Sequence, residues 1–165
     1  MKPILLVAII FMNFSSFAQT DCACCDETHK QFDFWAGNWN VYDTLDQLIG
    51  KNQIVHLEDH CILNENWVGG KGSTGKSYNY FDKSDSTWNQ VWIDNKGNPL
   101  VLKGNWNGES MILKGKLIEG QNIRYYRNVV SWTPNKDGSV IQLWEIRDEN
   151  DNVLKTIFKG IYKKQ

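Results

Sequence analysis

From about residue 38 to the end of the chain, apolar and polar residues alternate almost without a break. The alternation is interrupted by turn clusters at roughly the 8–12-residue spacing typical of all-β chains. A period of two places successive side chains on opposite faces of an extended strand. It predicts strands over residues 38–44, 51–61, 63–68, 74–81, 87–94, 100–105, 110–117, 122–132, 139–147 and 153–162. The separators include Asp82-Lys83-Ser84-Asp85, Asn95-Lys96-Gly97-Asn98, Asn107-Gly108-Glu109, Glu119-Gly120-Gln121 and Asn135-Lys136-Asp137-Gly138. Such residues tolerate positive φ or hydrogen-bond their own backbone, which closes tight hairpins. A helical period is confined to residues 28–36, predicting one short N-terminal helical segment.

About ten strands joined by short links leave no room for crossover helices, so the sheet either closes into a barrel or splits into a sandwich. A Greek-key sandwich needs long returning connections, and none is visible. The expected fold is therefore all-β, an antiparallel up-and-down barrel, with a sandwich as the alternative.

Upstream of the strands, Lys2 precedes an apolar run from Ile4 to Met12 and small residues ending Ser16-Phe17-Ala18. This is the anatomy of a secretory signal cleaved after Ala18. The run is too short to span a bilayer, which takes roughly 20 apolar residues. Thr20 and Asp21 before Cys22 are not the small-residue pair that lipidation requires. The expected organisation is a signal peptide over 1–18, a Cys-rich segment over 19–31 and a barrel over 32–165, secreted or periplasmic and free of the membrane after cleavage. The formal net charge of −1 favours no nucleic-acid or acidic-membrane partner. Cys22, Cys24, Cys25 and Cys61 all lie beyond the signal, and an oxidising compartment predicts that Cys61 bridges one of the other three. The competing reading makes Cys22, Cys24, Cys25 and His29 a soft-metal site, although C-x-C-C is not a zinc spacing.

The string Phe32-Asp33-Phe34-Trp35-Ala36-Gly37-Asn38-Trp39-Asn40-Val41 resembles the opening of a bacterial family of secreted lipocalin-like (calycin-like) domains, which begin F-D-F-W-x-G-x-W-x-V. The resemblance continues through residues 61–67, 75–82, 88–94, 132–134, 142–145 and 158–162. It implies the barrel fold, with Trp39 plugging the closed end, and brings no reaction with it. The Cys cluster and the segment Arg124 to Ser131 depart from the pattern, the latter in one wall of the cavity.

Period-two arithmetic places Glu65 with Trp67, Asn79 with Ser77 and Phe81, Gln90 with Trp88 and Trp92, and Gln142 with Trp144. If these faces turn inward, Trp67, Trp92 and Trp144 wall a cavity fitted with Glu65, Asn79, Gln90 and Gln142, the make-up of a small-molecule site. The expected role is binding of a small, partly apolar molecule, with no cofactor. The alternatives are an enzyme of the same fold using Glu65 as acid or base, or a bound metal or haem, and an accessory domain whose polar groups only satisfy one another. Residues 70–77 match the P-loop pattern letter for letter, but a phosphate cradle needs a helix after Lys76-Ser77, and Tyr78-Asn79-Tyr80-Phe81 is strand-like. His56 and His60, four apart on an expected strand, would stand about 13 Å from each other, too far to share an ion.

Overall fold

The structure is a computed structural model that describes residues 22–121 and 124–165, so the signal segment expected over 1–18 lies outside the described residues. Eleven strands follow one another: β1 (Gly37–Tyr42), β2 (Leu48–Leu57), β3 (Ile62–Gly69), β4 (Thr74–Asp82), β5 (Thr87–Asp94), β6 (Pro99–Trp106), β7 (Met111–Lys114), β8 (Ile118–Glu119), β9 (Tyr125–Pro134), β10 (Val140–Asp148) and β11 (Val153–Lys164). Neighbours pair antiparallel in chain order from β1 to β7; then β7 pairs with β9, β9 with β10, β10 with β11, and β11 with β1. The result is a closed, lipocalin-like barrel of ten strands. The two-residue β8 lies beside β9 at Tyr125 and Tyr126, beyond the stretch of β9 that β7 occupies. Closure removes the exposed edges that an open sheet would present.

The short helical segment is a 3₁₀ helix over His29–Trp35. Its start is held by Asp26, whose carboxylate accepts the backbone N–H groups of Thr28 and His29 at 3.0 Å and approaches the His29 ring at 2.7 Å. These bonds favour the charged form and lower the Asp26 pKa. The helix drives Phe32 and Trp35 into one end of the barrel, where both are fully buried. Phe32 stacks on Trp35 at 5.2 Å and meets Trp88 and Trp132 edge-on at 5.6 and 5.1 Å. Such packing adds to the area burial that dominates aromatic cores. Trp39 seals the same end: its indole N–H donates to the Trp35 carbonyl at 2.8 Å, and Lys164 Nζ sits 4.0 Å from its ring centre.

Several strand boundaries differ from those expected. The strand expected over 51–61 stops at Leu57, because Glu58, Asp59 and His60 all adopt positive φ (49°, 49° and 70°) and reverse the chain, leaving Cys61 in the turn rather than on the face shared by Leu63, Glu65 and Trp67. The strand expected over 110–117 is cut to β7, with β8 separate; residues 122 and 123 at the start of the next expected strand lie outside the described residues, and β9 runs from Tyr125. Residues 70–77 form the hairpin between β3 and β4, with Lys76 and Ser77 in strand β4, so no helix follows the glycine-rich loop. The cysteines pair as Cys22–Cys25 and Cys24–Cys61. The expected bridge from Cys61 to the cluster therefore exists, and the soft-metal site of Cys22, Cys24, Cys25 and His29 is overturned, since its three thiols are consumed in disulfides and the His29 ring faces Asp26.

Candidate functional site

At the end opposite the plug, the barrel holds a cavity of about 790 Å³. Six of the seven residues expected to line it do so: Glu65 and Trp67 from β3, Gln90 and Trp92 from β5, Gln142 and Trp144 from β10. Asn79 is fully buried behind them and is linked to the lining through Gln90 and, by way of Ser77, through Glu65. The arrangement is layered along the barrel axis. The aromatic plug forms the closed end, a belt of polar side chains lies above it, and an aromatic wall rises to the mouth, rimmed by Asp43, Gln47, Gly70 and Lys71 from the connecting loops.

The polar belt is a continuous hydrogen-bonded chain. Asn52 Nδ2 donates to Glu65 Oε1 and Ser77 Oγ to Glu65 Oε2, both at 2.7 Å. Asn79 Nδ2 donates to Ser77 Oγ and to the Leu63 carbonyl at 2.9 Å, and Gln90 Nε2 donates to Asn79 Oδ1 at 2.8 Å. On the other side of the barrel, the Tyr162 hydroxyl donates to Gln142 Oε1 and accepts from Asn52 Nδ2 at 3.3 Å. Both oxygens of Glu65 are therefore held by neighbours in the belt. Among the described residues Glu65 has no cationic partner, however, and burial outweighs its two hydrogen bonds, raising its pKa from 4.5 to about 7. Burial, and then the nearby Glu65 charge, raise the Tyr162 pKa well above 10, so the phenol keeps its proton.

Two amide groups of this belt remain unspent. The bonds just described use Gln90 Nε2 and Gln142 Oε1, and among the described residues no side-chain or backbone group pairs with Gln90 Oε1 or Gln142 Nε2. The floor thus offers a ligand one fixed acceptor and one fixed donor from opposite walls. Asn52 Oδ1 is also buried without a partner.

The aromatic wall is seated on glycines. A Cβ at Gly50 would lie 2.4 Å from the Trp67 ring, at Gly75 2.2 Å from the Trp92 ring, and at Gly160 2.7 Å from the Phe158 ring. Trp67 and Trp92 each lean on a neighbouring strand two residues from their direct partner, the diagonal that long aromatic side chains span. Trp144 is fixed differently, by an indole N–H bond to Asn128 Oδ1 at 2.8 Å, and Trp67 meets Phe158 edge-on at 5.9 Å. The aromatic faces are held apart, and the space between them stays open.

The sequence reading missed Asn52, Ser77 and Tyr162 as members of the belt, and Leu100, Val130 and Phe158 as wall residues. The signal was present: Phe158, Gly160 and Tyr162 share one period-two face, as do Asn52 and Ile54. No protein-family model matches the chain. No curated protein matches it significantly. The fold and the site alone define the class: a closed lipocalin-like barrel with one end plugged by aromatics and the other open to a mixed polar and apolar cavity.

Proposed function

We propose that this chain is an exported member of the secreted lipocalin-like family that its opening motif resembles, and that it binds one small, partly apolar molecule in the barrel. The observation that carries the reading is the open cavity of about 790 Å³, walled by Trp67, Trp92 and Trp144 over a floor with an uncommitted acceptor at Gln90 and an uncommitted donor at Gln142. That volume falls within the roughly 300–1,000 Å³ range of small-molecule sites, which combine an apolar lining with a few fixed polar groups. A filled accessory core would leave neither such a space nor unpaired amide atoms facing it. The two disulfides fit an oxidising compartment and so support export. Acid–base chemistry at Glu65 has its raised pKa in favour, but both carboxyl oxygens already accept hydrogen bonds from the protein. A catalytic group must reach the proton it moves.

The test begins with native mass spectrometry of the exported protein, which is expected to show a chain starting at Gln19 and a bound small molecule. A titration with anilinonaphthalene sulfonate is then expected to change the Trp emission saturably. Leu100→Trp, which fills the cavity from β6, should abolish that response while the variant stays folded by circular dichroism. A wild-type protein that neither carries a molecule nor saturates with the probe overturns the reading, as does a Leu100→Trp variant that binds normally.

A further inference from the structure

We infer that Asp33, His56 and His60 form a binding site for a divalent transition-metal ion at the plugged end of the barrel, separate from the cavity. One potential ligand atom from each residue lies within 4.8 Å of the other two. The three residues reach this point from three different elements. Asp33 is carried by the 3₁₀ helix and held in place by its neighbour Phe32 and by Trp35, both buried in the plug. His56 stands near the end of β2. His60 belongs to the turn that follows.

The turn gives the cluster its purpose. Three consecutive non-glycine residues at positive φ are costly, since side chains ordinarily visit that region singly. The outcome of the reversal is that the His60 ring folds back over His56, with ring centres 4.3 Å apart. The Cys24–Cys61 disulfide pins the turn to the segment that leads into the helix bearing Asp33. Backbone strain stored where chemistry-bearing side chains converge is a pointer to function.

An independent observation comes from the His56 ring itself. Its Nδ1 is buried with no hydrogen-bond partner, and its Nε2 is 3.4 Å from Asp33 Oδ1, beyond the usual reach of an N–H···O bond. Among the described residues neither ring nitrogen makes a hydrogen bond, and the approach to Asp33 is an ion pair only while the imidazole is protonated. The 3.4 Å separation is, however, the spacing of two ligands on one ion: metal–ligand bonds of about 2.0–2.1 Å in tetrahedral geometry put the ligand atoms roughly 3.4 Å apart. A ring nitrogen of the exposed His60 lies within 4.8 Å of these atoms, from where rotation of its side chain would complete the third bond. Two imidazoles and one carboxylate suit zinc, copper(II), cobalt(II) or nickel(II), and three protein ligands leave a coordination position open to solvent.

The experiment is a titration of the mature, disulfide-bonded protein with zinc chloride by calorimetry, and with cobalt chloride by visible absorption. One equivalent of each metal is expected to bind, and the cobalt d–d bands should report imidazole and carboxylate coordination. His60→Asn keeps a side chain that tolerates positive φ, and Asp33→Asn keeps the shape of the carboxylate. Each is expected to weaken zinc binding by at least about tenfold, the lower range seen when a metal site loses a supporting group. Asp59→Asn, in the same turn, is expected to bind as wild type. Absence of binding at millimolar zinc overturns the site, and so does one-equivalent binding that His60→Asn and Asp33→Asn leave unchanged.

Discussion

Replacing Glu65 with Gln gives the sharpest test of the polar belt, because it removes a titrating proton while preserving shape. Glu65 is only 4% exposed, and burial raises its pKa from 4.5 to about 7. With the folded-state value above the unfolded one, the unfolded chain loses this proton first. Below about pH 4.5 both states are protonated and the group has no pH-dependent effect. Between 4.5 and 7 the native state holds a proton that the unfolded state has released, so stability falls as pH rises; above about 7 both are ionised and the loss stops growing. A difference of about 2.5 units, at 1.36 kcal/mol per unit, makes the full loss about 3 kcal/mol. A neutral Gln side chain has no such dependence. Urea unfolding of both proteins from pH 4.5 to pH 8, with disulfides intact, should therefore show Glu65→Gln gaining on wild type by about 3 kcal/mol across that range. Other titrating groups cancel in the difference. A wild-type minus variant difference that stays flat from pH 4.5 to 8 refutes the raised pKa, and one that moves the opposite way shows Glu65 held as a stabilised anion.

Two further outcomes follow from the geometry. Gly75→Ala places a Cβ 2.2 Å from the Trp92 ring, so the indole must tilt; a loss of about 1–3 kcal/mol in urea unfolding is expected, together with weaker anilinonaphthalene sulfonate binding. Replacing both Cys24 and Cys61 by Ala opens a loop with a sequence separation of 37, which on chain-entropy grounds costs about 4 kcal/mol; unfolding of the variant against wild type, with Cys22–Cys25 kept, measures it.

How much of the site the sequence displays depends on where a residue sits in its strand. Trp67, Trp92, Trp144, Glu65, Gln90 and Gln142 all lie in strand interiors, where period two holds up to each of them (in β10 the register shifts only after Trp144), and all six line the cavity. His60 illustrates the opposite case. The segment Glu58-Asp59-His60-Cys61 contains no glycine to announce a turn, so it reads as more strand, yet Glu58, Asp59 and His60 all take positive φ and bring together two rings that strand geometry would separate. The belt fails to show for another reason. Asn52 and Tyr162 are 110 residues apart and meet only because β11 closes against β1, which in turn pairs with β2. Alternation assigns each to an inward face, but which inward residues meet across the barrel is decided by closure and stagger.

The strand glycines recover part of that lost information. Within a strand, glycine is a weak choice unless something needs the space of its missing side chain. Gly50 and Gly75 each face a tryptophan leaning in diagonally from the next strand, and Gly160 faces Phe158 in its own. An inward glycine beside an inward aromatic therefore marks where a ring lies flat against the wall instead of crossing the barrel. This separates the two ends of the molecule. Around the plug, Phe32, Trp35, Trp88 and Trp132 pack on one another and fill the interior. Around the cavity, Trp67 and Trp92 are drawn back onto glycine, Trp144 is tethered to Asn128, and the volume between them remains. The same residue type thus closes one end of the barrel and holds the other open, and the positions of the glycines distinguish the two uses.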